Sequence, residues 1–328
     1  MSLPEVYEGI VEALHLPIQM LVDSNSRLHV LYLLSSLALA FLVYSKLKTE
    51  ESFFSYVFKK EVWLSPSAIV DYGLVFFNGF IKVFLIGPYL VFGFYISYQL
   101  EALLPEWIGY PTGGLSASTT IVLYTIVLTV VMDLSTYVVH FLMHRVPVLW
   151  EFHKIHHSAT TLNPVTQYRI HPVELIINNV KATLILGLVT GVFRYLSAHP
   201  IEEYTLIGAN VLSFAFLFFG SNLRHSHIPL RYYNWLEYIF ISPFQHQIHH
   251  SDDERHFNTN LGSKLAIWDW MFGTLIRSES VHSIKFGIGK HEVKNYDSVW
   301  KNLVMPFKNL IRNAIGRLSR IPLPERLR

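Results

Sequence analysis

The chain has 328 residues, of which 51% are hydrophobic and only 15% are charged, and its mean hydropathy is positive. This balance is unusual for a soluble enzyme of this size and indicates a membrane protein. The net charge of +2 favours no nucleic-acid partner, and the absence of cysteine excludes disulfides, iron–sulfur clusters, thiolate-bound haem and a cysteine nucleophile.

Five apolar stretches predict membrane-spanning segments, at residues 28–44, 69–98, 119–141, 173–196 and 204–219. The first is just long enough to cross a hydrocarbon core of about 30 Å. The second is too long for one straight span and contains Asn78-Gly79 and Gly87-Pro88, so it is either one kinked helix or a re-entrant pair. The sequence therefore predicts an all-α integral membrane protein with about four to six transmembrane helices.

The distribution of lysine and arginine among the loops predicts the orientation of these spans. Placing the N-terminus outside leaves one basic residue, Arg27, in the outer segments, which are 1–27, 99–117 and 197–203. The inner segments hold four, three and fifteen basic residues; they are 46–66, 142–172 and 220–328. This asymmetry predicts a multi-pass protein with an outer N-terminus and an inner C-terminus. The N-terminal segment also lacks the basic start of a cleaved signal peptide.

The densest cluster of functional side chains follows the third apolar stretch, where five imidazoles fall within eighteen residues. Residues i, i+3 and i+4 share one face of an α-helix, so His140 can point the same way as His144. By the same rule, His153, His156 and His157 are expected to share a face. Helical spacing therefore predicts two converging sets of imidazoles.

The same H-x-x-H-H pattern recurs about ninety residues later as His246, His249 and His250. Neutral imidazole is the commonest protein ligand for transition metals and suits iron, zinc and copper. Histidines with purely structural roles are not expected to show this spacing twice, so the clusters predict a metal centre. A single metal with three or four protein ligands would leave half of the eight histidines without a role, so two metals are the better count.

All histidine clusters fall on one side of the predicted membrane. The first pair ends the third span, and the first H-x-x-H-H box follows it. His171 precedes the fourth span, whereas His225 and His227 follow the fifth, and the last box lies in the C-terminal inner segment. These distant groups are expected to converge at the cytosolic ends of the helices, in a histidine-rich helical cap that holds the active site.

The boxes resemble those of the fatty acid hydroxylase / sterol desaturase superfamily of membrane di-iron oxygenases. The resemblance covers roughly residues 133–275. Its motifs are H-x-x-x-H at 140–144, H-x-x-H-H at 153–157, R-x-H-P-x-E at 169–174, a second H-x-x-H-H at 246–250 and W-D-x-x-F-G-T at 268–274. The carboxylate-rich E-x-x-H motifs of the soluble-type desaturases do not occur within these boxes, and the H-E-x-x-H motif of zinc proteases is absent from the sequence.

The resemblance implies a set of metal ligands: His140, His144, His153, His156, His157, His246, His249 and His250. It also implies a ligand between the boxes, for which Asn222-Leu-Arg-His225-Ser-His227 is the candidate, with His225 the better match. His171 is open between a ligand, a partner of a ligand and a structural cap. Asp133 could accept the free N–H of a ligand histidine, or could be a polar residue lining a cavity. Asp269 and Asn260 are expected to support the site or to cap helices.

The resemblance further implies two non-haem iron ions, which zinc can replace on purification, with O₂ as co-substrate. No flavin, haem or nicotinamide motif is present, so electrons are expected from a separate reductase or redox carrier. We expect a hydroxylase acting on a lipid, with desaturation of a lipid or sterol at the same site as the alternative. A zinc-dependent membrane hydrolase or metal-binding protein is a less favoured alternative. A transporter is another, but it would need paired charges at the midplane of the bilayer.

Three regions are expected along the chain: membrane helices and loops at 1–117, the catalytic core at 118–280 and a basic amphipathic tail at 281–328. The segment 299–328 mixes apolar with basic residues at helical spacing. It is predicted either to lie on an anionic inner leaflet or to pack on the protein surface.

Overall fold

The structure, a computed structural model, describes residues 2–197, 199, 201, 205–206 and 209–318. The regular structure of this part of the chain is predominantly helical and includes membrane-length apolar helices, which confirms the all-α membrane fold. The α-helices in chain order are α1 (Leu3–Gln19), α2 (Val30–Tyr44), α3 (Phe53–Val57), α4 (Lys60–Trp63), α5 (Pro66–Ile81), α6 (Phe92–Ile108), α7 (Ala117–Arg145), α8 (Pro147–His157), α9 (Pro172–Leu196), α10 (Val211–Phe218), α11 (Pro243–His249), α12 (Ile267–Phe272), α13 (Lys290–Val293) and α14 (Val299–Leu318). Two short strands, β1 (Thr205–Leu206) and β2 (Ala209–Asn210), pair in an antiparallel hairpin.

Three helical runs among the described residues are long and apolar enough to cross a membrane: Pro66–Ile108, Ala117–Arg145 and Pro172–Leu196. The first joins α5 to α6 through a π-helical turn and a 3₁₀ turn, in which Pro88 has no N–H to continue the α-helical hydrogen bonds. Because α5 packs against α1 whereas α6 packs along α9, the two arms have different neighbours. This arrangement favours one kinked helix over a re-entrant pair.

The packing of α6 on α9 depends on two glycines one helical turn apart. A Cβ atom on Gly187 would lie 2.7 Å from the carbonyl oxygen of Gly93, and one on Gly191 would lie 2.9 Å from the carbonyl oxygen of Ser97. Small residues allow helix backbones to approach this closely in a membrane. α7 also packs on α9, so α6, α7 and α9 form the membrane bundle.

The stretch at 204–219 is not the continuous helix that the sequence predicted. Its described part consists of the hairpin and the eight-residue α10, and residues 202–204 and 207–208 lie outside the described part. Asn210 interrupts the apolar run because its side chain accepts hydrogen bonds from the N–H groups of Leu212 and Ser213 and so starts a new helix. The prediction of a single helical span here is therefore wrong.

The stretch predicted as the first span forms α2, whose fifteen residues extend roughly 22 Å, short of the hydrocarbon thickness. Its start lies beside the histidine clusters. The Asn222 amide donates to the Arg27 carbonyl at 2.7 Å, and the Ser26 hydroxyl is 3.4 Å from the Tyr168 hydroxyl. Hydrogen-bonded groups cannot lie on opposite sides of a core about 30 Å thick. The predicted placement of residues 26 and 27 on the opposite side of the membrane from 142–172 and 220–328 is therefore wrong.

A buried ion pair connects α5 to the histidine-rich region. The Arg169 guanidinium lies 3.0 Å from the Asp71 carboxylate of α5, and both side chains are buried. The same guanidinium donates to the Ile155 carbonyl at 2.9 Å and to the Tyr296 carbonyl at 3.0 Å. Arg169 thus joins α5, the end of α8 and the segment before α14, and fixes the helix that carries the first H-x-x-H-H box.

The C-terminal helix α14 packs on α8 and α5. The Asn309 amide donates to the Glu151 carboxylate on α8 at 2.8 Å. Trp300, Ile311 and Ile315 of the same helix are exposed. One side of α14 therefore packs on the protein while apolar side chains remain on its surface. Residues 319–328, the rest of the predicted amphipathic segment, lie outside the described part.

Candidate metal centre

Nine histidine side chains from distant parts of the chain converge in two groups. Within each group the ring nitrogens that could bind a metal all lie within 4.8 Å of one another. The first group contains His140, His144, His153, His157 and His249, and the second contains His156, His225, His246 and His250. The structure therefore brings together the nine histidines that the family resemblance implied.

Each H-x-x-H-H box contributes to both groups. On α8, His153 and His157 are one turn apart and belong to the first group, whereas His156 belongs to the second. The box of α11 is divided in the same way. The expectation that all three histidines of the first box share one face is therefore wrong. Successive helical residues turn by about 100°, so a helix that lies between two groups presents a different side to each.

The ring nitrogens meet at distances that suit a shared metal ion. Nε2 of His153 is 3.1 Å from Nε2 of His140 and 3.2 Å from Nε2 of His157. In the second group, the Nε2 atoms of His225 and His246 are 3.1 Å apart. Two imidazoles bound to one metal at about 2.1 Å have their nitrogens about 3.0–3.4 Å apart for right-angle to tetrahedral geometry. The observed separations are those of neighbouring ligands.

Two rings of the first group bury a nitrogen that has no protein partner. Nε2 of His144 and Nε2 of His249 are buried and make no hydrogen bond within the described residues. A buried polar nitrogen without a partner is unfavourable, and a metal ion between these rings would satisfy it. The donor set is entirely imidazole, which suits iron, zinc or copper. A pair of such ions fits the residues present.

Six histidines of the two groups are held in the neutral form. Burial, followed by neighbouring imidazole or guanidinium groups, lowers the pKa of six rings well below the usual value: His156, His157, His225, His246, His249 and His250. A neutral imidazole keeps a free lone pair, which is the form that binds a metal. The environment therefore favours ligation over protonation.

Three rings of the first group direct their other nitrogen at a hydrogen-bond acceptor. Nδ1 of His140 is 2.7 Å from the Leu261 carbonyl, and Nδ1 of His249 is 2.8 Å from the Thr259 carbonyl. Nδ1 of His153 is 3.0 Å from the Glu174 carboxylate. An acceptor at Nδ1 keeps the proton there and leaves the Nε2 lone pair free for a metal.

The carbonyls that lie at hydrogen-bond distance from Nδ1 of His140 and His249 belong to one loop, which is itself held by hydrogen bonds. Asn260 adopts a left-handed backbone conformation, with φ of 51°, and its amide donates to the Gln245 carbonyl at 2.9 Å. The Asp269 carboxylate accepts from the N–H groups of Leu261 and Gly262, each at 2.7 Å. Burial raises the pKa of Asp269 to about 6. Asp269 and Asn260 thus act on the loop and not directly on a histidine.

Asp133 does not contact a histidine, contrary to the expectation that it accepts a ligand N–H. Its carboxylate accepts from the N–H groups of Lys264 and Leu265 at 2.9 and 3.0 Å and from the Trp268 indole at 3.0 Å. Asp133 precedes His140 by seven residues, roughly 10 Å along a helix, so its side chain reaches the neighbouring segment and not the imidazole.

Three other candidates lie outside both groups. His171 caps α9: its Nδ1 accepts from the Val173 N–H at 3.0 Å, and its Nε2 is 3.3 Å from the Leu303 carbonyl. The structure therefore favours the structural cap among its three alternatives. Nε2 of His227 is 2.7 Å from the Tyr56 carbonyl. Asn222 is engaged with the main chain before α2, as described above.

Sequence reasoning missed several groups that hold the rings. Glu174 is the last residue of the R-x-H-P-x-E motif, in which only the histidine, His171, was considered as a candidate. The Arg224 guanidinium donates to Nδ1 of His246 at 2.8 Å, and burial lowers the pKa of Arg224 to about 9. A neutral ring that accepts at Nδ1 carries its proton on Nε2. Metal binding at that Nε2 therefore requires the proton to leave.

A cavity of about 160 Å³ adjoins both groups of histidines. Its histidine lining consists of His140, His153, His156, His225 and His246. The remaining lining includes the polar side chains of Arg27, Gln167, Asn178 and Glu174. A small group in this cavity would lie beside histidines of both groups.

Comparisons with known proteins agree with this geometry. Residues 125–274 match the family model for fatty acid hydroxylases. The chain is 30% identical over 186 residues to ornithine lipid hydroxylase OlsE of Rhizobium tropici, covering 57% of this chain and 51% of that protein. It is 29% identical over 150 residues to fatty acid hydroxylase vlmA of a Lecanicillium species, covering 44% and 40%. The chain thus spans about half the length of these relatives or less. No solved structure matches it.

Proposed function

We propose that this protein is a membrane non-haem di-iron oxygenase of the fatty acid hydroxylase family that hydroxylates a lipid, as the match of residues 125–274 to the family model supports. The observation that carries the proposal is the convergence of nine buried or partly buried imidazoles in two adjacent groups. One oxygen atom of O₂ enters a C–H bond to give an alcohol. The other leaves as water, with two protons and with two electrons from a separate reductase or redox carrier.

The two groups of histidines and the side chains around them would have separate roles. The first group would hold one iron ion and the second group the other. When bound, the two ions supply the oxidising power toward O₂ that protein side chains lack. Glu174 and the carbonyls of Thr259 and Leu261 orient three rings of the first group, so their Nε2 atoms need little rearrangement on binding. The catalytic role of all nine histidines rests on this geometry and on the family.

A lipid substrate is supported by an apolar groove of about 1,200 Å³. The groove is lined by parts of α2, α7 and α10 and by the segment 229–240, and it extends to Lys264 and Leu265. The preceding residue, Ser263, lines the cavity beside the histidines. An acyl chain in the groove would therefore have its end or its headgroup within reach of the metals.

The loop charges support a cytosolic active site. Apart from His140, the histidine clusters lie within the basic segments 142–172 and 220–318, whereas the segments 99–117 and 197–203 of the sequence hold no lysine or arginine. We place residues 20–29 on the same side as the site, because they contact it. The division into 1–117, 118–280 and 281–328 stays a prediction.

The test is a lipid comparison by mass spectrometry under ¹⁸O₂. Cells that express the protein are compared with cells that express His156→Ala, and with cells that express His15→Ala, which changes an exposed histidine of α1. A lipid that gains one labelled oxygen in the wild type and in His15→Ala only would support the hydroxylase. A lipid that loses two hydrogens would support the alternative, a desaturase. No labelled lipid, together with hydrolysis of a lipid by the zinc-bound protein in the absence of O₂, would refute the oxygenase in favour of the hydrolase.

A further inference from the structure

The cavity beside the candidate metal centre is lined by a cationic side chain that forms no ion pair with a carboxylate in the described part of the chain. Arg27, just before α2, lines this cavity together with histidines of both groups. Within the described part of the chain, its guanidinium makes no hydrogen bond and no ion pair. Its main-chain carbonyl is held by Asn222, so the residue is fixed in place while its side chain remains available. Burial lowers the pKa of Arg27.

The other charged groups around the cavity already have partners. The Arg224 guanidinium donates to the Gly262 and Ser263 carbonyls as well as to His246. The Glu174 carboxylate is engaged with His153 through one oxygen. Asp133 accepts from three N–H groups, as described above, and its charge raises the pKa of Arg27. No carboxylate in the described residues forms an ion pair with the Arg27 guanidinium.

We propose that Arg27 binds an anionic group of the lipid substrate, a carboxylate or a phosphate, and that the carbon that is oxidised lies within a few bonds of that group. This inference rests on the proposed function and defines its substrate class. A guanidinium withdrawn from water is unfavourable unless it is paired, and it matches both anions with two parallel hydrogen bonds. An apolar chain end in the cavity would leave that charge unpaired.

The size of the cavity limits where oxidation occurs. Its volume of about 160 Å³ is well under the roughly 300 Å³ at which pockets for whole small molecules begin. The cavity therefore accommodates one end of a lipid, and the rest of the molecule must lie elsewhere, for which the apolar groove provides the space. Because Arg27 and the five histidines line the same small cavity, an anion on Arg27 keeps the attacked carbon close to it.

Other polar groups in the cavity are compatible with such a headgroup. Oε1 of Gln167 and Oε2 of Glu174 are buried without a hydrogen-bond partner in the described residues. A donor group next to the anion, such as a hydroxyl, an amide or an ammonium, would satisfy one of them. These side chains thus offer hydrogen-bond partners to the polar end of a lipid.

The binding test needs neither O₂ nor electrons. The purified full-length protein in phosphatidylcholine nanodiscs is titrated with octanoate, octyl phosphate and octanol, and the signal of empty nanodiscs is subtracted. The wild type is expected to bind one of the two anions at least about tenfold more tightly than octanol, and the preferred anion identifies carboxylate or phosphate. Arg27→Gln should remove this preference and Arg27→Lys should retain part of it.

The matched control is Arg255→Gln, which changes an exposed arginine that pairs with Asp253 and should bind all three probes as the wild type does. Circular dichroism checks that each variant is folded. Equal binding of anions and octanol by the wild type, or an anion preference that survives in folded Arg27→Gln, would overturn the inference. An Arg27-dependent preference without any ¹⁸O-labelled product would leave the anion site in place and refute the oxygenase.

The position of oxidation gives a second, independent test. In any labelled lipid from the ¹⁸O₂ experiment, tandem mass spectrometry locates the new oxygen. The label is expected in the fragment that carries the anionic group. A label in the middle of the acyl chain, many bonds from the anion, would contradict the placement of that anion on Arg27.

Discussion

Replacing Glu174 by leucine should weaken the first metal site selectively. The Glu174 carboxylate lies 3.0 Å from Nδ1 of His153, and both side chains are buried. Leucine has a similar volume but accepts no hydrogen bond, so the His153 ring loses the acceptor that fixes its tautomer and orientation. Glu174→Gln keeps a neutral acceptor for the same N–H. Its effect should therefore be smaller than that of Glu174→Leu.

The expected magnitude follows from the number of ligands affected. Loss of a hydrogen-bond partner behind a metal-bound histidine lowers metal affinity about 10–100-fold, which is roughly 1.4–2.7 kcal/mol. Glu174 contacts one of the five imidazoles of the first group and none of the second. The loss is therefore expected at one of the two metal ions bound per chain, and the other ion should bind as in the wild type.

The assay is a titration of the metal-free protein with ferrous iron or zinc against a competing chelator, followed by metal analysis of the purified product. Glu101→Gln is the control, because Glu101 pairs with Arg194 at the opposite end of α9. An equal loss at both ions would mean that Glu174 acts through the fold as a whole. An unchanged titration in Glu174→Leu would refute the assignment of His153 as a ligand held by this carboxylate.

Three further substitutions test the surroundings of the site. Asp71→Ala leaves the buried Arg169 guanidinium unpaired and should destabilise the protein by about 3–5 kcal/mol, seen as a lower temperature of thermal unfolding in detergent. Gly187→Leu should separate α6 from α9, because even a Cβ atom there would lie 2.7 Å from a main-chain oxygen, and it should also lower the unfolding temperature. Asp269→Asn keeps an acceptor for the N–H of Leu261 but leaves the N–H of Gly262 without one. The free energy of unfolding should fall by about 1–3 kcal/mol. This substitution should weaken the first metal site in the same titration, and an unchanged affinity would remove Asp269 from the support of the loop.

The nine converging histidines were predictable because their information is local. Helical spacing and the family motifs identify each box within a few residues of sequence. How the boxes divide between two metals was not predictable, because it depends on where α8 and α11 lie relative to each other. His153 and His156 look equivalent in the sequence, and only the packing of the helices sends them to different groups.

The main-chain groups that orient the histidine rings could not be recognised from the sequence. Every residue has a main-chain carbonyl, so nothing marked those of Thr259 and Leu261 as partners of ligand histidines. The nearby Asp269 and Asn260 were better signals, since both were expected to support the site. The structure shows that they do so by holding the loop and its carbonyls in place.

Arg27 shows how one residue can support an incorrect topology. Counting charges placed it outside, as the single basic residue on that side of the membrane. The count treated the apolar residues 28–44 as a crossing, but α2 is short, and hydrogen bonds connect its N-terminal end to the histidine region. Hydropathy measures whether a helix is apolar and not which neighbours it packs against. The same residue that supported the orientation is the one that the fold places in the candidate site.

Asp133 shows why a buried acid in the bilayer can be functional without contacting a metal. It lines the apolar groove, and it holds the N–H groups of Lys264 and Leu265. Ser263, one residue earlier, faces the polar cavity beside the histidines. The segment fixed by Asp133 therefore lies between the space suited to a lipid chain and the space suited to its polar end. On the proposed function, a substrate would occupy both spaces at once, and the position of this segment would then select the carbon that reaches the histidine cluster.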